Sequence, residues 1–260
     1  MSPSLGTDRN THVQVLWEDN EHVLLRRWCD DGSADAVTTL ALVPASHPPT
    51  PGSLDRLAHQ YQLKDELDDA WAVRPISLVH ERGQPVLVLE DPGGEPLDRL
   101  LGAPMEVGHF LRLAIGIAMA LSKAHQRGLV HKDIRPANIL VNNTSGEVRL
   151  TGFGISTRLL RERQSPEPPE FIAGTLAYMA PEQTGRMNRS IDSRSDLYSL
   201  GVTYYQMLTG HHPFAASDPM EWVHCHIARK ATPPGEQSTN VPGPVSAIIM
   251  KLLAKMAEER

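Results

Sequence analysis

Two side chains with chemistry to offer stand five residues apart in His131-Lys132-Asp133-Ile134-Arg135-Pro136-Ala137-Asn138. A carboxylate on a tight loop, followed at that distance by a carboxamide, can place one oxygen near a nucleophilic hydroxyl and another near a cation. Asp and Asn are also favoured turn formers, so the pair alone is equally compatible with a loop held by its own hydrogen bonds. Three more segments follow in order: Gly152-Phe153-Gly154, Gly174-Thr175-Leu176-Ala177-Tyr178-Met179-Ala180-Pro181-Glu182, and Asp196-Leu197-Tyr198-Ser199-Leu200-Gly201. His211-His212 and His224-Cys225-His226 are the remaining metal-ligand candidates. Adjacent or alternating residues on a helix diverge, so packing or surface histidines are expected there.

These residues need elements to position them. With 260 residues, 40% hydrophobic and 22% charged, the chain has the composition of a globular protein with one large or two small cores. A formal charge of -6 argues against nucleic acid as a partner, which calls for a basic footprint. Cys29 and Cys225 sit in no paired motif, so neither a disulfide framework nor a zinc site is expected, and a reducing cytoplasm fits. No signal peptide is visible. The apolar stretch from Phe110 to Leu121 carries Arg112 and Gly116 and is shorter than the roughly 20 residues of a membrane span. It reads as a buried helix, with no membrane as partner.

Residues 1–12 read as a flexible N-terminus. From Val13 to Val43, short β-prone groups such as Val13, Val15, Trp17 and Val23-Leu24-Leu25 indicate a small antiparallel sheet. After prolines 44, 48, 49 and 51, Ser53 is placed to cap a helix whose Leu54, Leu57, Tyr61 and Leu63 share a face. Strands are expected over Ile76–Val79 and Pro85–Leu89, and Glu90-Asp91-Pro92-Gly93-Gly94 is a natural hinge. Beyond it the period turns helical: Phe110, Leu113, Ala114, Ile117, Leu121 and Ala124, stopped by Gly128, then helices over 196–208 and from Val245 to Leu253. The expectation is an α+β fold of two lobes, a β-rich lobe at 13–91 and a larger helical lobe at 92–260 cut short in its last helices.

In their order and spacing, the four segments quoted above resemble the second lobe of eukaryotic-type Ser/Thr protein kinases, in a bacterial flavour. The first lobe is similar to the kinase-like domains that begin large multidomain sensor histidine kinases of two-component signal transduction. The resemblance implies that Asp133 is the catalytic base and Asn138 a metal ligand. It implies that Arg135 stands for the lysine that meets the transferred phosphate, and that Leu89, Glu90, Asp91 and Pro92 form the hinge that holds adenine. Asp196 matches the buried helix aspartate that holds the catalytic loop, and Glu182 with Arg260 matches an ion pair. Lys132 stands where an arginine commonly clamps a phosphorylated loop. Arg161, Arg163 and Pro166 to Pro169 fall in the activation segment, a loop or docking site, with Ser156, Thr157 and Ser165 as possible phosphosites.

Other family features are missing. Gly152 replaces the metal-binding aspartate, and Thr151 should point to the opposite side of its strand. The third-strand pattern Thr39-Leu40-Ala41-Leu42-Val43 puts Val43 where the phosphate-holding lysine belongs, and Gln60 falls at the position of its glutamate partner. No glycine-rich loop precedes them. Arg26 or Arg27 could reach a phosphate, although a solvated sheet face is the commoner fate. ATP binding stays possible, with Mg²⁺ weak or absent. The sequence therefore favours a cytoplasmic pseudokinase, a regulatory or interaction module that contacts other domains of a larger signalling polypeptide or a regulatory protein. The alternative is a slow, atypical Ser/Thr kinase using Asp133, Arg135 and Asn138.

Overall fold

The β-prone residues after position 10 form β1 (Thr11–Glu18), which turns through Asp19, Asn20 and Glu21 into β2 (His22–Cys29). The computed structural model describes residues 11–29, 38–143, 145–158, 174–187 and 189–260. Strands β3 (Thr38–Pro44), β4 (Pro75–Glu81) and β5 (Gln84–Glu90) complete an antiparallel sheet in the order β1-β2-β3-β5-β4, with helix α1 (Pro51–Gln62) between β3 and β4. Residues 11 and 12, expected in a flexible tail, belong to β1; residues 1–10 lie outside the described residues.

Side chains alternate across a strand, and β2 and β3 accordingly feed two apolar clusters. Leu24, Leu40 and Leu42 join Leu16, Leu57 and Leu89 on the side that carries α1, while Val23, Leu25, Ala41, Val43 and Val86 cover the other face. A register shift between Val15 and Trp17 breaks the period of two, so neighbouring Leu16 and Trp17 pack against the same cluster while Val13 and Val15 stay exposed. Helix α1 is capped by Thr50, whose side chain accepts from the Ser53 N–H, with Pro51 at its first position. Ser53 is buried against His22, and Leu54 faces solvent. The expected cap and buried face are thus corrected to Thr50 and to Ser53, Leu57 and Gln60.

The second lobe starts with β6 (Glu95–Pro96) and α2 (Val107–Gln126), followed by β7 (Leu129–Val130), β8 (Ile139–Val141), β9 (Val148–Leu150) and β10 (Thr157–Arg158). Helices α3 (Ser193–Thr209), α4 (Pro219–Ile227), α5 (Pro234–Gln237) and α6 (Gly243–Leu252) make up the rest. The architecture is α+β, a sheet-based lobe joined to a helical one. By length and composition α2 could cross a membrane; here Phe110, Leu113, Ile117, Leu121 and Ala124 bury one side of it in the helical core.

Buried polar groups pin this core. Arg260 meets Glu182 through Nη2 and Oε2 at 2.8 Å and Nη1 and Oε1 at 2.5 Å, with both side chains at most 2% exposed. Its guanidinium also donates to the Arg194 and Lys255 carbonyls and lies 5.0 Å from the Tyr198 ring. Within the histidine motifs, His212 and His226 are packing groups, and His211 and His224 are exposed. His226 lies between the Tyr198 hydroxyl and the Leu176 carbonyl, stacked on Trp222, and His212 approaches the Tyr178 hydroxyl. Among the described residues no cluster of three His, Cys, Asp or Glu could hold a metal ion.

Removing one member of a buried pair strands the other charge, which costs about 3–5 kcal/mol. Arg260→Ala should therefore lower the unfolding free energy by about that amount in urea titrations. Burial holds the His226 imidazole down at about 4, whereas in the unfolded chain it titrates near 6.5. The unfolded state takes up the proton first, so the stabilisation is complete above about pH 6.5 and drains away as pH falls towards 4. Burial lowers His22 and His131 as well, with the same sign. Urea midpoints measured from pH 7.5 to 4 should fall, and less steeply in His226→Asn.

Candidate functional site

The loop between β7 and β8 hangs from one buried carboxylate. Asp196, at the start of α3, accepts the backbone N–H groups of His131 at 2.8 Å and Lys132 at 2.7 Å, and a third bond from His125 Nε2 at 2.8 Å. These bonds hold Lys132 at φ 70, a left-handed conformation that is costly for a residue with a Cβ. His131 donates from Nε2 to the Thr151 carbonyl and accepts the Asp133 N–H on Nδ1, as a neutral ring does; its burial lowers the pKa and keeps it so.

Asp133 and Asn138 are brought together. Asn138 Nδ2 donates to Asp133 Oδ2 at 2.8 Å and to the Asp133 carbonyl at 2.9 Å. Asp133 Oδ1 accepts the Thr175 N–H at 3.1 Å, and Oδ2 also receives Arg135 Nε at 3.3 Å. Both donations from Asn138 Nδ2 go to acceptors, which orients the amide and leaves Asn138 Oδ1 buried without a partner. Next to it Gly152 sits at φ 80, and a Cβ there would lie 2.5 Å from Asn138 Cγ and 2.6 Å from Oδ1. The amide occupies the space that a side chain at 152 would need. Thr151 is buried and does not line the adjoining cavity.

Above the loop, Leu42 and Gln60 line that cavity together with Trp17, Asp19, Asp133 and Gly152. This corrects the expected register by one residue. Val43 packs on the far face of the sheet, and Leu42 is the β3 side chain that points into the cleft. Gln60 does face the cleft, buried, with Nε2 unpartnered. Neither Leu42 nor Gln60 supplies a charge. Arg26 reaches no phosphate position: it clamps the hinge through Nε to Asp91 Oδ2 at 2.7 Å and Nη2 to Oδ1 at 3.1 Å, and it also binds the Gly94 carbonyl and Glu95. Arg27 pairs with Glu81.

The four hinge residues are employed locally. Leu89 is buried in the cluster with Leu16, Leu24, Leu40 and, from the second lobe, Leu140, all at most 3% exposed. This cluster joins Leu140 of the second lobe to leucines of the first. Glu90 donates its N–H to the Arg74 carbonyl, Asp91 is held by Arg26, and Pro92 has no N–H to offer a base.

The turn between β1 and β2, where protein kinases carry a glycine-rich loop, is acidic. Asp19 Oδ1 accepts the N–H groups of Glu21 and His22, both at 2.9 Å, and its Oδ2 reaches across the cleft to Arg135 Nη2 at 2.7 Å. The Arg135 guanidinium lies 5.2 Å from the Trp17 ring. Burial opposes its charge, but Asp133 and Asp19 outweigh that and raise its pKa. Arg99, from the turn after β6, grips the carbonyls of Val15 and Leu16. The visible signal was the acidic run Glu18-Asp19-Asn20-Glu21.

The residues present do not fit a Mg²⁺ ion. That ion wants near-octahedral oxygen from one or two carboxylates, water and substrate phosphates. Asn138 Oδ1 is one neutral oxygen, Gly152 offers none, and both Asp133 oxygens already accept protein donors. The cavity is about 50 Å³, against the roughly 300–1,000 Å³ of typical ligand pockets. Ser156, a phosphosite candidate, is buried and donates to the Phe153 carbonyl, so kinases have no access to it in the fold. Arg161, Arg163, Ser165 and Pro166 to Pro169 lie outside the described residues.

A two-lobed α+β fold with this loop order defines a class, and sequence comparison assigns it. Residues 52–260 match the model of the protein kinase domain. The serine/threonine-protein kinase Pkn1 of Myxococcus xanthus is 35% identical over 181 residues, 68% of this chain and 26% of that protein. The serine/threonine-protein kinase PknB of Mycobacterium leprae is 32% identical over 178 residues, 68% of this chain and 28% of its own length. The chain belongs to the protein kinase family, on its bacterial eukaryotic-type Ser/Thr side, and spans about a quarter of the curated relatives it matches.

Restoring a carboxylate at 152 should not rebuild a metal site. Gly152→Asp places its Cβ against the Asn138 amide at positive φ, and should destabilise by about 1–3 kcal/mol. Asn138→Ala in the same chain vacates that space and should recover part of the loss, measured as a coupling energy in a double-mutant cycle.

Proposed function

We propose that this chain is a pseudokinase domain: a cytoplasmic regulatory or interaction module of bacterial signalling that binds other domains of a larger signalling polypeptide or a regulatory protein. Protein kinases in general use ATP and Mg²⁺, and need fixed cations around the phosphates and a carboxylate on the metal. The observation that carries the reading is that Leu42 and Gln60, two buried neutral side chains, line the cleft cavity beside a Gly152 whose space is taken by Asn138. Losing one preorganised electrostatic group costs on the order of 10²–10³ in rate. Here three devices are gone: the lysine, the metal carboxylate and the glycine loop. The proposal also places the chain beside two-component machinery, a placement that rests only on the resemblance expected for the first lobe.

A slow Ser/Thr kinase is the second reading, and two observations favour it. Asp133 is held by the loop geometry described above, and Asn138 Oδ1 is a buried acceptor with no protein partner. Its kinship with enzymes named serine/threonine-protein kinases adds weight.

Labelled γ-phosphate transfer to a generic Ser/Thr acceptor, with Mg²⁺ and then Mn²⁺, separates the two. The expected outcome is incorporation no greater than in Asp133→Ala, together with no nucleotide-dependent rise in melting temperature. Transfer that disappears in Asp133→Ala overturns the pseudokinase reading, and a saturable metal-enhanced melting shift moves the balance to the slow enzyme.

A further inference from the structure

The turn between β1 and β2 does more than lack glycine. Glu18, Asp19 and Glu21 put three carboxylates in four positions, and Asp19 and Glu21 line the cavity where the first lobe meets the Asp133 loop. Asp19 is oriented before it reaches across: Oδ1 closes its own turn on the Glu21 and His22 N–H groups, which leaves Oδ2 aimed at Arg135. The same turn is tied to α1 by Glu21 and Arg56. The guanidinium it meets is also held by Trp17 of β1 and by Asp133. Farther along β1, Arg99 holds the Val15 and Leu16 carbonyls. Two arginines of the helical lobe therefore converge on one edge strand and its turn, and the Asp19 pair is the charged contact that ties Arg135 to the first lobe.

The geometry points to an autoinhibitory latch: Asp19 is a tethered anion that occupies Arg135 and keeps the cleft closed to ligands carrying several phosphates. Opening requires Arg135 to exchange the Asp19 carboxylate for an external anion. The latch deepens the pseudokinase reading but is separable from it. Phosphate transfer by the wild-type chain would sink that reading and leave the Asp19 contact untouched.

Asp19→Asn tests it, because an amide oxygen can still accept the Glu21 and His22 N–H groups while the charge facing Arg135 is removed. Hydrogen exchange of β1 and its turn should quicken about tenfold, the scale of one charge-assisted bond, with α3 exchange unchanged as the control for folding. Inorganic tripolyphosphate, titrated by calorimetry, should bind Asp19→Asn about tenfold more tightly than wild type, and the gain should vanish in Asp19→Asn/Arg135→Ala. Arg135→Gln, breaking the same contact from the other end, should quicken β1 exchange with no gain in tripolyphosphate binding. Wild-type exchange rates in Asp19→Asn, or faster exchange without tighter tripolyphosphate binding, overturn the latch.

Discussion

The geometry of the catalytic loop depends on the buried carboxylate of Asp196. It is fully enclosed and accepts two backbone N–H groups and one imidazole N–H, so an otherwise costly ion is stabilised by charge-assisted bonds. Through it the long helix α3 fixes the loop that carries Asp133, Arg135 and Asn138. His131 extends the chain of bonds to Thr151, and Phe153 packs on His131 at 4.5 Å and on Trp71 at 6.0 Å. None of these contacts requires phosphate or metal, so the scaffold is independent of whether the chemistry is present.

In the pseudokinase reading proposed above, the groups at the positions that would serve a nucleotide are mutually consistent. A leucine and a glutamine, both uncharged, line the cavity where a charged pair would stand. An amide folds over a glycine. An acidic turn pairs with the loop arginine in place of backbone N–H groups aimed at phosphate. Each change would strand a group if made alone: a lysine beside Gln60 would lack its counter-ion, and a side chain at 152 would collide with Asn138. Buried polar groups need partners, and Asp133 and Arg135 find theirs within the protein. Gln60 Nε2, Trp17 Nε1 and Asn138 Oδ1 do not, and Gln60, Trp17 and Asn138 line the same small cavity, which has the room and polarity for a few bridging waters.

Much of the fold was legible beforehand because its signals are local. Glycine at the end of α3, the apolar period of α2 and the β-prone runs located most elements to within a few residues. The helix α1 cap was misread because Thr50 and Ser53 are both good caps, and only burial of Ser53 against His22 separates them. The β3 register was misread by one residue for a related reason. A strand buried on both faces, Leu40-Ala41-Leu42-Val43, has no polar alternation to show which side is which, and a slip of one turns every side chain over.

By itself, the sequence determined the family, the lobe order, the glycine at 152 and the absence of any lysine before Lys64, because these are facts of residue identity and spacing along the chain. Tertiary structure alone decided that Leu42 is the cleft residue, that Arg26 serves the hinge, and that Asp19 reaches Arg135 across 116 positions of sequence. Contacts of that separation leave no periodic trace. They depend on how two lobes close on each other, which is set by the packing of whole surfaces and not by any local pattern of residues.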